Sequence, residues 1–196
     1  MKVTNYDVTI ELTEPMLGTI PKDKEIYATF IESKKPKDSP HADNEVDTVD
    51  NDENKGWTGF HSDNNGLFVY DYLVKGFLKN AGNVLKDQLK VKALRNKINN
   101  NIFVSLRKIY LGKDTPDGCI ERPLRAMTMQ GERITLARSD YVDNGLQLNF
   151  SIKMLEFPGL SEKVLKDILS YGELMGLGQF RNGGYGRFKV LNMDVM

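Results

Sequence analysis

Every second residue from Tyr6 to Leu12 is apolar, and the residues between them are polar. A period of two is typical of a strand with one buried face, so this segment predicts a strand that ends at Glu14-Pro15. The same alternation runs from Leu146 to Met154 and predicts the clearest strand of the chain.

Apolar residues recur every three or four positions in three other segments, which indicates helices with one buried side. The longest of these segments runs from Val74 to Leu89, and a short one runs from about Lys22 to Ser33. The third follows Ser161, a residue type that favours the N-cap position, and has its apolar residues between Val164 and Leu169.

Shorter apolar runs predict the remaining strands. They are a hairpin within residues 56–70 with its turn at 61–65, strands at 102–110, within 122–129 and at 134–138, and a last strand at 187–195. This order of elements predicts an α+β fold: an antiparallel sheet with helices on one face, a glycine-rich loop before the last strand, and inserted loops. A split βαβ arrangement, as in ferredoxin-like and RRM-like proteins, is the simplest one that fits.

The chain has 196 residues, of which 40% are hydrophobic and 28% charged, a composition typical of one globular domain spanning residues 1–196. The single cysteine, Cys119, excludes an internal disulfide, and the two histidines, His41 and His61, are too few for a zinc cluster. Because no apolar run of about 18 residues and no signal peptide is found, we expect a cytoplasmic protein without membrane contact. We also expect no metal and no cofactor.

The 27 basic and 27 acidic residues balance, but they are distributed unevenly. Seven acidic residues and no basic one lie between Asp38 and Asn54, which leaves a net charge of +7 for the rest of the chain. Together with Pro36 and Pro40, this predicts a solvated, mobile insertion at about residues 36–56. A plain charged loop, a cation site, a nucleic-acid mimic and a loop of catalytic acids are the alternatives for this segment.

A basic stripe lies on the longest predicted helix. Its four lysines fall within roughly 60° of one another, on the side away from the apolar residues; they are Lys75, Lys79, Lys86 and Lys90. Such a surface attracts a phosphate backbone, although an ordinary solvated helix face has the same pattern.

Residues 176–187 form the most specific segment, with two arginines and five glycines: Gly176, Gly178, Gly183, Gly184 and Gly186. The segment follows a helix, whereas Rossmann and P-loop sites place their glycines before a helix N-terminus. Anion binding would use exposed backbone N–H groups with Arg181 and Arg187, and Phe180 and Tyr185 could stack on bases. A tight helix-to-strand connection is the alternative explanation of the glycines.

The last helix, this glycine-rich segment and the final strand resemble the C-terminal signature of the RAMP superfamily, the ferredoxin-like RNA-binding proteins of CRISPR effector complexes and crRNA processing. Residues 68–80, with Lys75-Gly76 opening the helix, resemble a segment of type III backbone subunits. Residues 6–18 are similar to the first strand and turn of the family. The three segments cover about a quarter of the chain.

The resemblance implies that Lys75 and Lys79 face guide-RNA phosphates and that Arg181, Tyr185 and Arg187 lie by the same groove. It also implies a protruding hairpin between residues 122 and 138. Backbone nucleases of the family carry an aspartate in an early loop, but no motif here selects one, and neither histidine lies in a matching segment, so we predict no catalytic residue. His61 is expected to be a loop residue.

The sequence thus favours a non-catalytic protein that binds RNA or single-stranded nucleic acid, with self-association along the ligand or a nucleoprotein complex as its partner. One alternative is an interaction protein that inhibits or mimics a nucleoprotein complex through its acidic segment. A lesser one is a metal-dependent ribonuclease using Asp43, Asp47 or Asp50. The composition, rich in asparagine and lysine, resembles that of stand-alone proteins from phages or mobile elements.

Overall fold

In the computed structural model of the chain, the described residues are 2–22, 56–128 and 131–196, and side chains are described for all of these except 124–128 and 131–135. The predicted helix at 22–33 and the acidic insertion, with Asp43, Asp47, Asp50 and His41, lie outside the described residues.

The strands of the described chain are β1 (Val3–Leu12), β2 (Met16–Leu17), β3 (Ile20–Pro21), β4 (Trp57–Gly59), β5 (His61–Asp63), β6 (Gly66–Tyr70), β7 (Ile102–Ser105), β8 (Lys108–Tyr110), β9 (Gly118–Thr128), β10 (Gly131–Val142), β11 (Gln147–Leu155) and β12 (Phe188–Val195). The α-helices of the same residues are α1 (Asp71–Leu85), α2 (Leu94–Asn101) and α3 (Glu162–Ser170). None of these helices is both long and apolar enough to cross a bilayer.

The main sheet has four strands in the order β12-β1-β11-β7, and every neighbouring pair is antiparallel. It follows that β1 and β7, joined through α1 and α2, run in the same direction with β11 between them. Likewise β11 and β12, joined through α3, run in the same direction with β1 between them. The sheet therefore has the split βαβ arrangement that the order of elements predicted.

The helices cover one face of this sheet. Alternate residues of β1 from Tyr6 to Leu12 are buried, and the ring of Phe77 on α1 meets that of Phe188 on β12 edge-on at 4.9 Å. On the other face, Thr9 bonds to Asn149 and other polar pairs join β1 to β11. RRM proteins bind RNA through aromatic side chains on their central strands. The face of β1 and β11 that lies opposite the helices carries no aromatic side chain.

Two further sheets stand beside the four-stranded sheet, where a single sheet was predicted, and the five-stranded one contains a long hairpin. Strands β9 and β10 pair from Gly131↔Thr128 to Tyr141↔Gly118, which confirms the hairpin expected between residues 122 and 138. On its other edge, β10 pairs with β4 and β2. The third sheet consists of β5, β6 and β8.

One predicted helix ends earlier than expected, and one predicted strand is divided in two. Helix α1 ends at Leu85, so Lys86 caps it and Lys90, with a positive φ of 54°, lies in a turn and not on a helical stripe. The helical spacing continued to Leu89 because this residue returns from the turn to pack against the core. The predicted strand at 102–110 is broken at Leu106, whose φ of 70° separates β7 from β8.

The expectation that His61 is a loop residue was wrong, because it lies in β5 and pairs with Phe68. The two rings stack with centroids 5.3 Å apart, which gives the histidine a packing role in the small sheet. The helix after Ser161 is confirmed, since the Ser161 hydroxyl accepts a hydrogen bond from the Val164 amide at 3.3 Å.

Candidate nucleic-acid interface

The glycine-rich segment 176–187 is a tightly packed connection between α3 and β12. The Leu177 amide donates to the Gly186 carbonyl at 2.8 Å, and the Gly186 amide donates to Pro15, which fastens the segment to the turn after β1. A Cβ on Gly186 would lie 1.9 Å from the Leu177 oxygen, and the φ of Gly186 is 70°. Only glycine fits this position, so the packing explanation of the glycines holds at least there.

The segment turns Phe180 and Tyr185 toward each other, with ring centroids 5.9 Å apart. The Phe180 ring lies against Gly183, where a Cβ would approach it to 2.3 Å, and Phe180 remains 44% exposed. Phe180 is itself in the left-handed region, with a φ of 54°. The absence of a Cβ at Gly183 thus makes room for a partly exposed aromatic ring.

Arg122 on β9 lies against these two rings, with its guanidinium carbon 4.5 Å from the centroid of Phe180 and 6.0 Å from that of Tyr185. The residue is only 8% exposed. Its Nη2 donates to the Ser139 hydroxyl at 2.8 Å, but its buried Nε has no acceptor. Among the described residues no carboxylate pairs with it, and burial lowers the pKa of its guanidinium.

A polar network holds Ser139 in place behind Arg122. The Ser139 hydroxyl lies 2.9 Å from that of Thr58 on β4, and both hydroxyls are within 3.0 Å of the Gln179 side-chain oxygen. Gln179 belongs to the glycine-rich segment, so the network ties that segment to β4 and β10. It contains no anion that could neutralise the guanidinium.

A second arginine of the segment, Arg181, reaches helix α1. With the Asn80 amide oriented so that its oxygen faces the guanidinium, that oxygen accepts from both terminal nitrogens of Arg181 at 3.2 and 3.3 Å. Lys79 precedes Asn80 on the helix and makes no ion pair within the described residues. Arg181 therefore contacts helix α1 through the residue that follows Lys79. A shared RNA groove for Lys79, Arg181 and Tyr185 stays a prediction.

Lys75 is placed differently from the other predicted site residues. Its ammonium donates to the carbonyls of Ile98 at 2.9 Å and Asn99 at 3.1 Å, and also to that of Ile102. These carbonyls lie at the C-terminal end of α2, where helix carbonyls lack partners within the helix. Burial, with a smaller effect of Lys79, lowers the pKa of Lys75 to about 8.

The other predicted lysines, Lys86 and Lys90, are exposed on the turn after α1 and form no ion pair with described residues. Arg187 and Tyr185 both line a cleft at the base of the hairpin. Within the described residues, no group of three potential metal-binding side chains occurs. The acids considered for a ribonuclease site lie outside those residues.

Arg122 was not predicted as a site residue. Its sequence neighbours give no signal, because its burial arises from hairpin pairing and from a segment about 60 residues away.

The structure of this chain, but not its sequence, is similar to a known protein. No protein-family model matches the sequence, and no match is found among curated proteins. The structure is similar to a chain in the cryo-EM structure of the Type III-B Cmr-beta bound to cognate target RNA, with a TM-score of 0.56 and 13% sequence identity. The similarity covers 100% of this chain and 61% of the other, so this protein spans about three fifths of that chain's length.

At this identity the likeness concerns the fold alone. It shows that the α+β fold of this chain is similar to that of the Cmr-beta chain. Membership of the RAMP superfamily stays a prediction. The origin in a phage or mobile element stays a prediction.

Proposed function

We propose that this protein binds RNA without cleaving it, through a surface formed by the glycine-rich segment, the hairpin β9/β10 and helix α1. The observation that carries the proposal is Arg122, a nearly buried cation that meets two aromatic rings and no carboxylate within the described residues. A buried charge without a partner is unfavourable, so a protein that retains one has a use for it when an anion binds.

Phosphate is the anion that this surface suits. Guanidinium groups bind phosphate through charge-assisted hydrogen bonds, and Arg122 Nη1 has no acceptor among the described residues. Arg181 and Lys79 add two positive charges from the neighbouring loop and helix. The exposed part of Phe180 offers ring surface to a base, as in proteins that bind single strands.

RNA is favoured over other anionic ligands by the likeness of the fold to a chain from an RNA-bound assembly. A partner within a nucleoprotein complex, or further copies of this chain along one RNA, belongs to the same proposal. Lys75 is not part of the proposed surface, since its three acceptors favour a structural role. Lys86 and Lys90 would contribute only from the turn at its edge.

The test is fluorescence anisotropy with a labelled 30-nucleotide RNA and the matching DNA at two salt concentrations, with product lengths checked on a gel. Arg122→Gln is compared with Arg138→Gln. Arg138 lies on the same hairpin, but it is paired with Glu121 at 2.6 Å. We expect Arg122→Gln to weaken RNA binding by about 10- to 100-fold and to reduce the salt slope by about one.

Arg138→Gln should change the affinity by less than about threefold, because its charge is already neutralised. Equal affinities of the wild type and a folded Arg122→Gln variant would overturn the proposed surface. Shortened RNA products that appear with the wild type and disappear with alanine at Asp43, Asp47 and Asp50 or with a surface variant would contradict the non-catalytic assignment.

A further inference from the structure

A cleft of about 610 Å³ lies beside Tyr185 and Arg187. It is formed by the turn after β1, the base of the hairpin β9/β10 and the glycine-rich segment. Its apolar walls come from Pro15, Ile120, Tyr141 and the Tyr185 ring. The volume falls within the range of small-molecule sites, and the aromatic walls suit a flat ligand.

Charges of both signs line the cleft without neutralising one another. The Arg187 guanidinium lies over Gly184, where a Cβ would be 3.5 Å from its central carbon, and within the described chain its buried Nε has no acceptor. Glu14 and Asp143 also face the cleft, and neither forms an ion pair with a described residue. Opposite charges that share a cleft and remain more than 4.0 Å apart leave room for a ligand between them.

We propose that this cleft binds a guanine base. Guanine carries the acceptors O6 and N7 on one edge, which an arginine recognises with two hydrogen bonds. Its other edge carries the N1–H and N2–H₂ donors, which a carboxylate accepts. A flat base between Tyr185 and the opposite wall would thus place Arg187 at one edge and Asp143 or Glu14 at the other.

Tyr185 connects this cleft to the RNA surface, because its ring also lies 6.0 Å from the Arg122 guanidinium. The cleft would recognise this guanine as one base of a bound RNA, and this part of the inference rests on the proposed function. Binding of the free nucleotide does not depend on it.

The test is calorimetric titration of the full chain with guanosine, inosine and adenosine monophosphates. We expect guanosine monophosphate to bind at least about 10-fold more tightly than the adenosine compound, and inosine monophosphate, which lacks the N2 amine, to be intermediate. Arg187→Gln and the double variant Glu14→Gln/Asp143→Asn should each remove the preference. Asp87→Asn, at an exposed acid on the turn after α1, is the matched control and should keep it.

A uridine-only RNA separates this inference from the proposed function. If that RNA binds in an Arg122-dependent way while the three nucleotides bind equally or not at all, the guanine site is wrong and the RNA surface stands. If guanosine monophosphate is selected but no RNA binds, the guanine site stands and the RNA surface is wrong. Equal binding of all nucleotides by the wild type and both cleft variants overturns the guanine site.

Discussion

Lys75 and Arg122 are both cations largely withdrawn from water, and they differ in what receives their hydrogen bonds. The Lys75 ammonium has three N–H donors and three carbonyl acceptors around it, all at the end of α2. Arg122 has five N–H donors, one hydroxyl acceptor and two aromatic rings. The first cation is satisfied by the fold, and the second is not.

The difference lies in the local partners: those of Lys75 indicate a structural cation, and Arg122 is the cation for which we propose a binding role. Helix carbonyls carry partial negative charge at a C-terminus, so Lys75 stabilises the junction between α2 and β7. Aromatic faces and a hydroxyl compensate the desolvation of Arg122 only in part. An arriving phosphate would therefore gain more at Arg122 than at Lys75.

The largest expected effect is on stability at Lys75. Lys75→Met keeps much of the apolar stem but removes the ammonium that donates to three carbonyls, so we expect the free energy of unfolding to fall by about 2–3 kcal/mol. The measurement is urea unfolding at pH 7, where the ammonium is charged. Lys79→Met, one helical turn away, should lower stability by less than about 0.5 kcal/mol. Similar losses for both variants would remove the distinction between the two lysines.

Arg122 should behave in the opposite way. Arg122→Met removes a partly unsatisfied charge and preserves contact with Phe180, so we expect the free energy of unfolding to stay the same or rise by about 1 kcal/mol. Added RNA should then raise the Tm of the wild type but not of the variant, because only the wild type binds it tightly. A loss of more than about 2 kcal/mol in urea would mean that Arg122, like Lys75, serves the fold.

The elements that were predicted correctly are those whose local pattern and tertiary burial agree. The alternation in β1 and β11 is preserved because each strand buries one face against helices. The end of α1 was mispredicted because Leu89 is still half-buried after the helix has stopped. The left-handed Leu106 that divides β7 from β8 has no signal in its residue type, since leucine rarely adopts that conformation.

The candidate site could be predicted only where its residues are neighbours in sequence. The glycine-rich pattern identified Arg181 and Tyr185, since a turn dense in glycine exposes the side chains between. Helical spacing placed Lys75 on the polar side of α1, but it could not predict that the C-terminal end of α2 would contact this lysine. Arg122 became distinctive only through its pairing with Ala137 and its contact with Phe180.

His61 extends the comparison of Lys75 and Arg122 to a group that gains its charge only on protonation. We expect the smallest effect on the free energy of unfolding at this residue. Its buried Nε2 has no hydrogen-bond partner among the described residues, and burial, together with the nearby Lys108 charge, lowers its pKa below the ordinary 6.5. The unfolded chain therefore takes up more protons as the pH falls through that ordinary value, so the free energy of unfolding should decrease between pH 7.5 and 5.5.

Urea unfolding across this range measures the effect. His61→Phe, which keeps the stack on Phe68, should flatten the pH dependence. Asp63 cannot produce the same slope, because its hydrogen bond with Lys108 lowers the pKa of its carboxyl and moves its titration to more acidic pH. An unchanged slope in His61→Phe would show that another group causes the pH dependence, and that burial of this nitrogen does not by itself make its protonation unfavourable.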